Sequence, residues 1–187
     1  RIQMRRKSTK MIILIALMAF VIGASSAFAD SDSTDHDINL NVSEIAVLGL
    51  NNDNSITLST PGKVAAGALP TAVDTDSSKY LKYTSVVGGT ATRSITVALG
   101  ETGVPAGTQL TIEADDASTT QDGTPASVIT LSSTAASLIT GISSCATGTD
   151  ATDGANLTYS YSVTDVTALL DSADATVTVT FTLGDDS

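Results

Sequence analysis

Few residues in this chain have side chains able to do chemistry, and their types narrow what that chemistry could be. The 187-residue sequence has one histidine, His36, and one cysteine, Cys145. His36 lies in the polar run Asp35-His36-Asp37, where no rigid element would orient an imidazole as a general base. Cys145 sits in Ile142-Ser143-Ser144-Cys145-Ala146, with no neighbouring cation to lower its pKa, so a buried small side chain is expected there and not a nucleophile. A single cysteine also leaves nothing to pair within the chain. Zinc sites of the usual type need three or four His and Cys ligands, and no Gly-x-x-x-x-Gly-Lys phosphate cradle occurs. The expectation is a protein with no catalytic residues and no resident cofactor.

Calcium is the one cation whose ligands the chain carries in number, because it takes carboxylate and carbonyl oxygens. Aspartates gather in four polar groups: Asp30, Asp32, Asp35 and Asp37; Asp74 and Asp76; Asp115, Asp116 and Asp122; Asp150 and Asp153. None has the twelve-residue spacing ending in Glu of an EF-hand, and acidic surface loops are commonly just solvated, so no metal ligand is assigned. Asn41-Val42-Ser43 and Asn156-Leu157-Thr158 fit the glycosylation pattern but fall in expected strands.

At the N-terminus, Arg5, Arg6, Lys7 and Lys10 precede an uncharged apolar run over 11–22, followed by Gly23, Ala24, Ser25, Ser26 and Ala27-Phe28-Ala29. This order of basic, apolar and small residues is that of a secretory signal peptide over 1–29, with cleavage expected before Asp30. The alternative, a membrane anchor, needs a longer apolar run of about 20 residues. Export to the cell surface or the extracellular space is the expectation, with no membrane span in the mature form. The compact leader and the lack of a cysteine pair point to a bacterial host.

All 20 acidic residues lie beyond Ala29, against only Lys63, Lys79, Lys82 and Arg93. A surface this acidic repels nucleic acid and anionic membranes. Residues 30–187 are rich in Thr, Ser, Ala, Val and Gly, contain no Trp, and keep their apolar side chains in short alternating runs.

Those runs define the expected fold. A polar acidic arm over 30–37 leads to Ile38-Asn39-Leu40-Asn41-Val42, apolar at every second residue, and then to an apolar stretch over 45–50. Asn51-Asn52-Asp53-Asn54 reads as a turn before a strand at Ile56-Thr57-Leu58, and Pro61-Gly62, Gly67 and Pro70 break the next segment. Further strands are expected over 79–87, at Ile95, Val97 and Leu99, at Leu110 and Ile112, over 128–131 and over 138–142. The clearest are Leu157, Tyr159, Tyr161 and Val163, and Val177, Val179, Phe181 and Leu183. Thr164-Asp165 is expected to cap a short helical turn whose Val166, Leu169 and Leu170 close one end of the fold. Eight to ten short strands with turns between them predict an all-β, two-sheet antiparallel β-sandwich of the Ig-like Greek-key or jelly-roll kind over 38–187.

The signal peptide, the polar leader, the alternating Ile38-Asn39-Leu40-Asn41-Val42 segment, the Thr/Val-rich strands and the alternating C-terminal run over 176–183 together resemble secreted fibre-forming β-sandwich subunits. These are the pilins of the alternate chaperone–usher class and the biofilm-matrix fibre proteins of Gram-positive bacteria. The resemblance is one of pattern, with no shared diagnostic motif. It implies a structural subunit of a filament or surface layer, in which an N-terminal strand completes the sandwich of the next identical subunit. Ile38, Leu40 and Val42 would be the inserted side chains. The alternatives are that this strand pairs within its own sandwich, or that the chain is a surface binding module or adhesin for a glycan, with or without calcium. Glycan platforms display aromatic faces, whereas this chain has no Trp and only Tyr80, Tyr83, Tyr159 and Tyr161, which fall within expected strands where at least one side is core.

Overall fold

The computed structural model describes residues 34–60, 64–117, 122–170 and 175–186. The expected signal peptide, its cleavage site, Asp30 and Asp32 lie outside the described residues. The chain divides between Asn41 and Val42. In the first part, residues 34–41 carry no regular secondary structure.

Residues from Val42 onward form two antiparallel sheets. The larger has the order β1-β2-β9-β4-β6, comprising Ile45–Leu50, Asp74–Val86, Ala155–Val163, Thr108–Ala114 and Ile129–Thr130. The two-residue β8, Cys145–Ala146, pairs with the end of β2 at Thr84 and Ser85. The smaller sheet is β10-β3-β7-β5: Val179–Asp185, Arg93–Leu99, Ala136–Ile142 and Thr124–Pro125. The expected two-sheet sandwich is thus the fold.

Each long strand sorts its side chains by the two-residue period. Ile95, Val97 and Leu99 of β3 face Leu81 and Tyr83 of β2, Leu110, Ile112 and Ala114 of β4, and Ala155, Leu157 and Tyr159 of β9, in one buried cluster. Leu138, Ile139 and Ile142 of β7 join it, and the alternation there breaks where the β3–β7 register shifts. Burying each such Leu or Ile contributes about 1.5–3 kcal/mol, so this cluster dominates the stability of the fold.

Three expectations are corrected in detail. The Ile38–Val42 alternation forms no strand; β1 begins at Ile45. Ile45 already sits opposite Val86, the last residue of β2, so this register leaves earlier residues nothing to pair with on β2. Residues 56–58 also form no strand, for reasons given below. The helical turn exists as a 3-10 turn, Val166–Ala168, with Asp165 accepting from the Thr167 N–H, but none of its residues is buried and Leu170 is 76% exposed. It therefore does not close the end of the sandwich.

Candidate functional site

A two-sheet sandwich has two lateral seams where its sheet edges meet, and in this molecule they differ. One lies between β6 and β5. The other lies between β1 and β10.

Along the β1–β10 seam the key residue is Arg93, at the start of β3 and in phase with Ile95, Val97 and Leu99, so that its side chain points inward and is 5% exposed. A buried guanidinium needs acceptors at several of its N–H groups. Its Nη1 donates to the Ile45 carbonyl (2.5 Å), the Val86 carbonyl (3.2 Å) and Ser85 Oγ (3.3 Å). Its Nε pairs with Asp185 Oδ1 at 2.9 Å and its Nη2 with Glu44 Oε2 at 3.4 Å. One side chain thus ties β1, β2 and β10 together at this end.

At the other end the seam opens into a groove of about 810 Å³. Its apolar lining includes Leu50, Leu110, Tyr161, Val177, Val179 and Phe181. One wall is β10, which among the described residues pairs only with β3. Gly100 N–H donates to the Thr178 carbonyl and Asp186 N–H to the Thr92 carbonyl, so the ladder turns the even-numbered residues of β10 toward β3. The backbone groups of Val179, Phe181 and Leu183 therefore face the open side.

The opposite wall is the segment over 51–59. Ile56 and Leu58 pack against the core from it. It runs beside β2 without a ladder and is held at intervals. Asn51 N–H donates to the Tyr80 carbonyl, while Asn51 Nδ2 donates to the Ser78 carbonyl and Asn51 Oδ1 accepts from Tyr80 N–H. Ser59 N–H donates to Asp74 Oδ2 at 2.8 Å. Between these points Lys79 Nζ donates to Asn52 Oδ1 (2.7 Å), the Asn52 carbonyl (3.3 Å) and the Asn54 carbonyl. Lys79 is 6% exposed and in phase with Leu81 and Tyr83.

Separate from the groove is the arm. Ile38, Leu40 and Val42 are 70%, 90% and 83% exposed. They share parity with Ala46, Leu48 and Leu50, of which Leu48 and Leu50 pack against the core. An extended 38–50 would thus carry a single apolar face.

The other sequence-flagged residues fall elsewhere. His36 is exposed, in the arm. Cys145 is free and half-buried, and burial, then the Asp122 charge, push its thiol pKa up, the opposite of activation. Tyr83 is buried, donates to the Asp122 carbonyl at 2.6 Å, and has its pKa raised by burial and then by Asp122. Tyr159 is also buried, with its pKa raised in the same direction. Neither can present an aromatic face. Asp76 Oδ1 accepts from Ser78 at the irregularity of β2, and Asp153 Oδ2 accepts from Asp150 N–H in its turn, so these carboxylates organise their own local backbone. Among the described residues, no group of three or more His, Cys, Asp or Glu side chains is placed to hold a metal, and no helix is long and apolar enough to cross a membrane.

Arg93 and Lys79 belong to no sequence motif. Their signal is in the alternation, since both fall on core-facing positions of strands. In comparison with known proteins, the chain matches no protein family, no curated protein and no solved structure.

Proposed function

We propose that this chain is an exported structural subunit, working at the cell surface or outside the cell, that assembles with copies of itself into a filament or surface layer. Residues 38–42 of one copy add as a strand at the open end of the β1–β10 seam of the next. The observation that carries this reading is the coexistence of an alternating apolar arm, with Ile38, Leu40 and Val42 in water, and an apolar groove beside a sheet edge. A five-residue strand spans about 17 Å, and main-chain bonds to β10 would supply affinity while alternate side chains fill the groove. Burying the three side chains is worth roughly 5–9 kcal/mol before the cost of ordering the arm and joining two bodies. The acidic surface favours this over nucleic-acid or anionic-membrane partners, and the absence of Trp together with the burial of Tyr83 and Tyr159 favours it over a glycan platform.

The test is size-exclusion chromatography with negative-stain microscopy on residues 30–187 and on a chain lacking 30–43. Oligomer ladders or filaments from the longer chain alone are expected. Monomers from both, with and without calcium, would overturn the reading.

A further inference from the structure

The wall of the groove formed by residues 51–59 has the attributes of a strand without being one. Ile56 and Leu58 alternate as Ile38, Leu40 and Val42 do, and both pack against the core. The segment lies along the part of β2 beyond the β1–β2 ladder, which ends at Leu50 opposite Leu81, and there the Tyr80 N–H and the Tyr80 and Ser78 carbonyls are taken by Asn51 alone. Its backbone makes no ladder, and a segment with apolar contacts but no cooperative hydrogen bonding opens at low cost. Its fastenings lie at its ends and at one point between. Asn51 holds one end, Asp74 Oδ2 receives Ser59 N–H at the other, and the Lys79 ammonium binds Asn52 and Asn54.

Lys79 is the most informative of these contacts. Placing a cation at a core-facing position is costly unless its donors are satisfied. Among the described residues, the hydrogen bonds of Lys79 Nζ all go to the 51–59 segment and none to the sheets it lies between. It lines the groove, so release of the segment would return the ammonium to water or to the carbonyls of an incoming chain. The arm has matching chemistry, since Asn39 and Asn41 alternate with its apolar residues and carry the same amide oxygen that Asn52 offers Lys79.

We infer that residues 51–59 are a built-in placeholder, a strap that covers part of the groove with Ile56 and Leu58 and is displaced when residues 38–42 of a second copy enter. The inference rests on the assembly reading above and adds a regulatory step to it. The strap shields the groove of the lone subunit, and the Lys79 and Asp74 latches set how fast a neighbour can be accepted.

The test uses residues 30–187 carrying Ile38→Asn and Leu40→Asn, which leaves the acceptor intact and removes the donor, in a Cys145→Ala background with Leu58→Cys as a reporter thiol. The probe is a fluorescent synthetic peptide of residues 34–43. Binding is read by anisotropy, and strap release by the rate at which the thiol at position 58 reacts with a disulfide reagent. Peptide binding is expected to speed that reaction by about tenfold or more, as for a segment moved from half-buried to free. With Leu58 restored, Lys79→Met is expected to raise the peptide association rate by roughly tenfold, the equivalent of losing one charge-assisted latch. A peptide that binds while the thiol rate and the Lys79→Met association rate stay unchanged overturns the strap and leaves the assembly reading standing. A peptide that does not bind at all overturns both.

Discussion

The two seams of the sandwich are closed in different ways. On the β6–β5 side the edges come from neighbouring stretches of chain, and residues 122–131 lace across them. Ala126 N–H donates to the Leu138 carbonyl, Leu131 N–H to the Leu110 carbonyl, and Tyr83 reaches Asp122. On the β1–β10 side the edges come from opposite ends of the compact unit, so no short connection joins them. Loop closure between adjacent stretches costs little entropy, whereas two distant edges must be held by contacts alone. Arg93 supplies those contacts at one end, and at the other the seam gapes into the groove. Sequence distance between the edges thus accounts for which side is sealed and which is left with a groove.

The sharpest way to break this contrast is to unseal the closed side. Gly123 has φ +97°, and a Cβ there would meet Ile142 Cγ1 and the Thr140 carbonyl oxygen at 2.7 Å. Gly123→Ala is expected to cost about 3 kcal/mol or more, seen as a lower thermal midpoint. A midpoint within a degree of the parent would mean that the lacing is loose. Next in size is the clasp of the open side. Arg93→Met leaves the Ile45 and Val86 carbonyls without that donor and should cost about 2–4 kcal/mol in denaturant titration. A loss below about 1 kcal/mol would show that β1 and β10 hold together without it.

The smallest effect is a pH dependence that the two sides share. Burial keeps Tyr83 beside the closed seam and Tyr159 in the groove lining un-ionised in the folded chain, while in the unfolded chain they ionise near pH 10. Above that pH the unfolded state binds fewer protons, so stability should be intact below about pH 10 and fall as pH rises further. Tyr83→Phe should flatten part of that fall while costing about 1 kcal/mol at neutral pH for the lost bond to Asp122. An unchanged alkaline slope would place the Tyr83 phenol in solvent.

Much of the fold was legible because burying one face forces a period of two. Ile95-Val97-Leu99 and Leu157-Tyr159 read directly as strand faces, and both are buried. Residues 56–58 show where the pattern misleads. Their alternation is real and their side chains do pack inward, but Lys79 binds the backbone just before them and no ladder forms. Period reports the face that is buried and not whether neighbouring backbones pair. The alternation over 38–42 suggests a strand for the same reason, yet none forms there, because pairing is a long-range fact that no local pattern contains. Lys79 and Arg93 carry charge, which favours the surface, but their phase with Leu81 and Ile95 places them inside. The turn at Val166–Ala168 was capped as expected, but its apolar residues gave no clue that they would stay exposed.

The most direct test of the open seam as an acceptor is a cross-link between copies. In a Cys145→Ala background, residues 30–187 with Leu40→Cys would be mixed with the same chain carrying Val179→Cys, and in parallel with one carrying Val47→Cys, an exposed position of β1 outside the groove lining. After mild oxidation, disulfide-linked mixed dimers are expected from the Val179→Cys mixture and few from the Val47→Cys mixture. Equal yields from both mixtures, or none from the first, would contradict assembly through the groove.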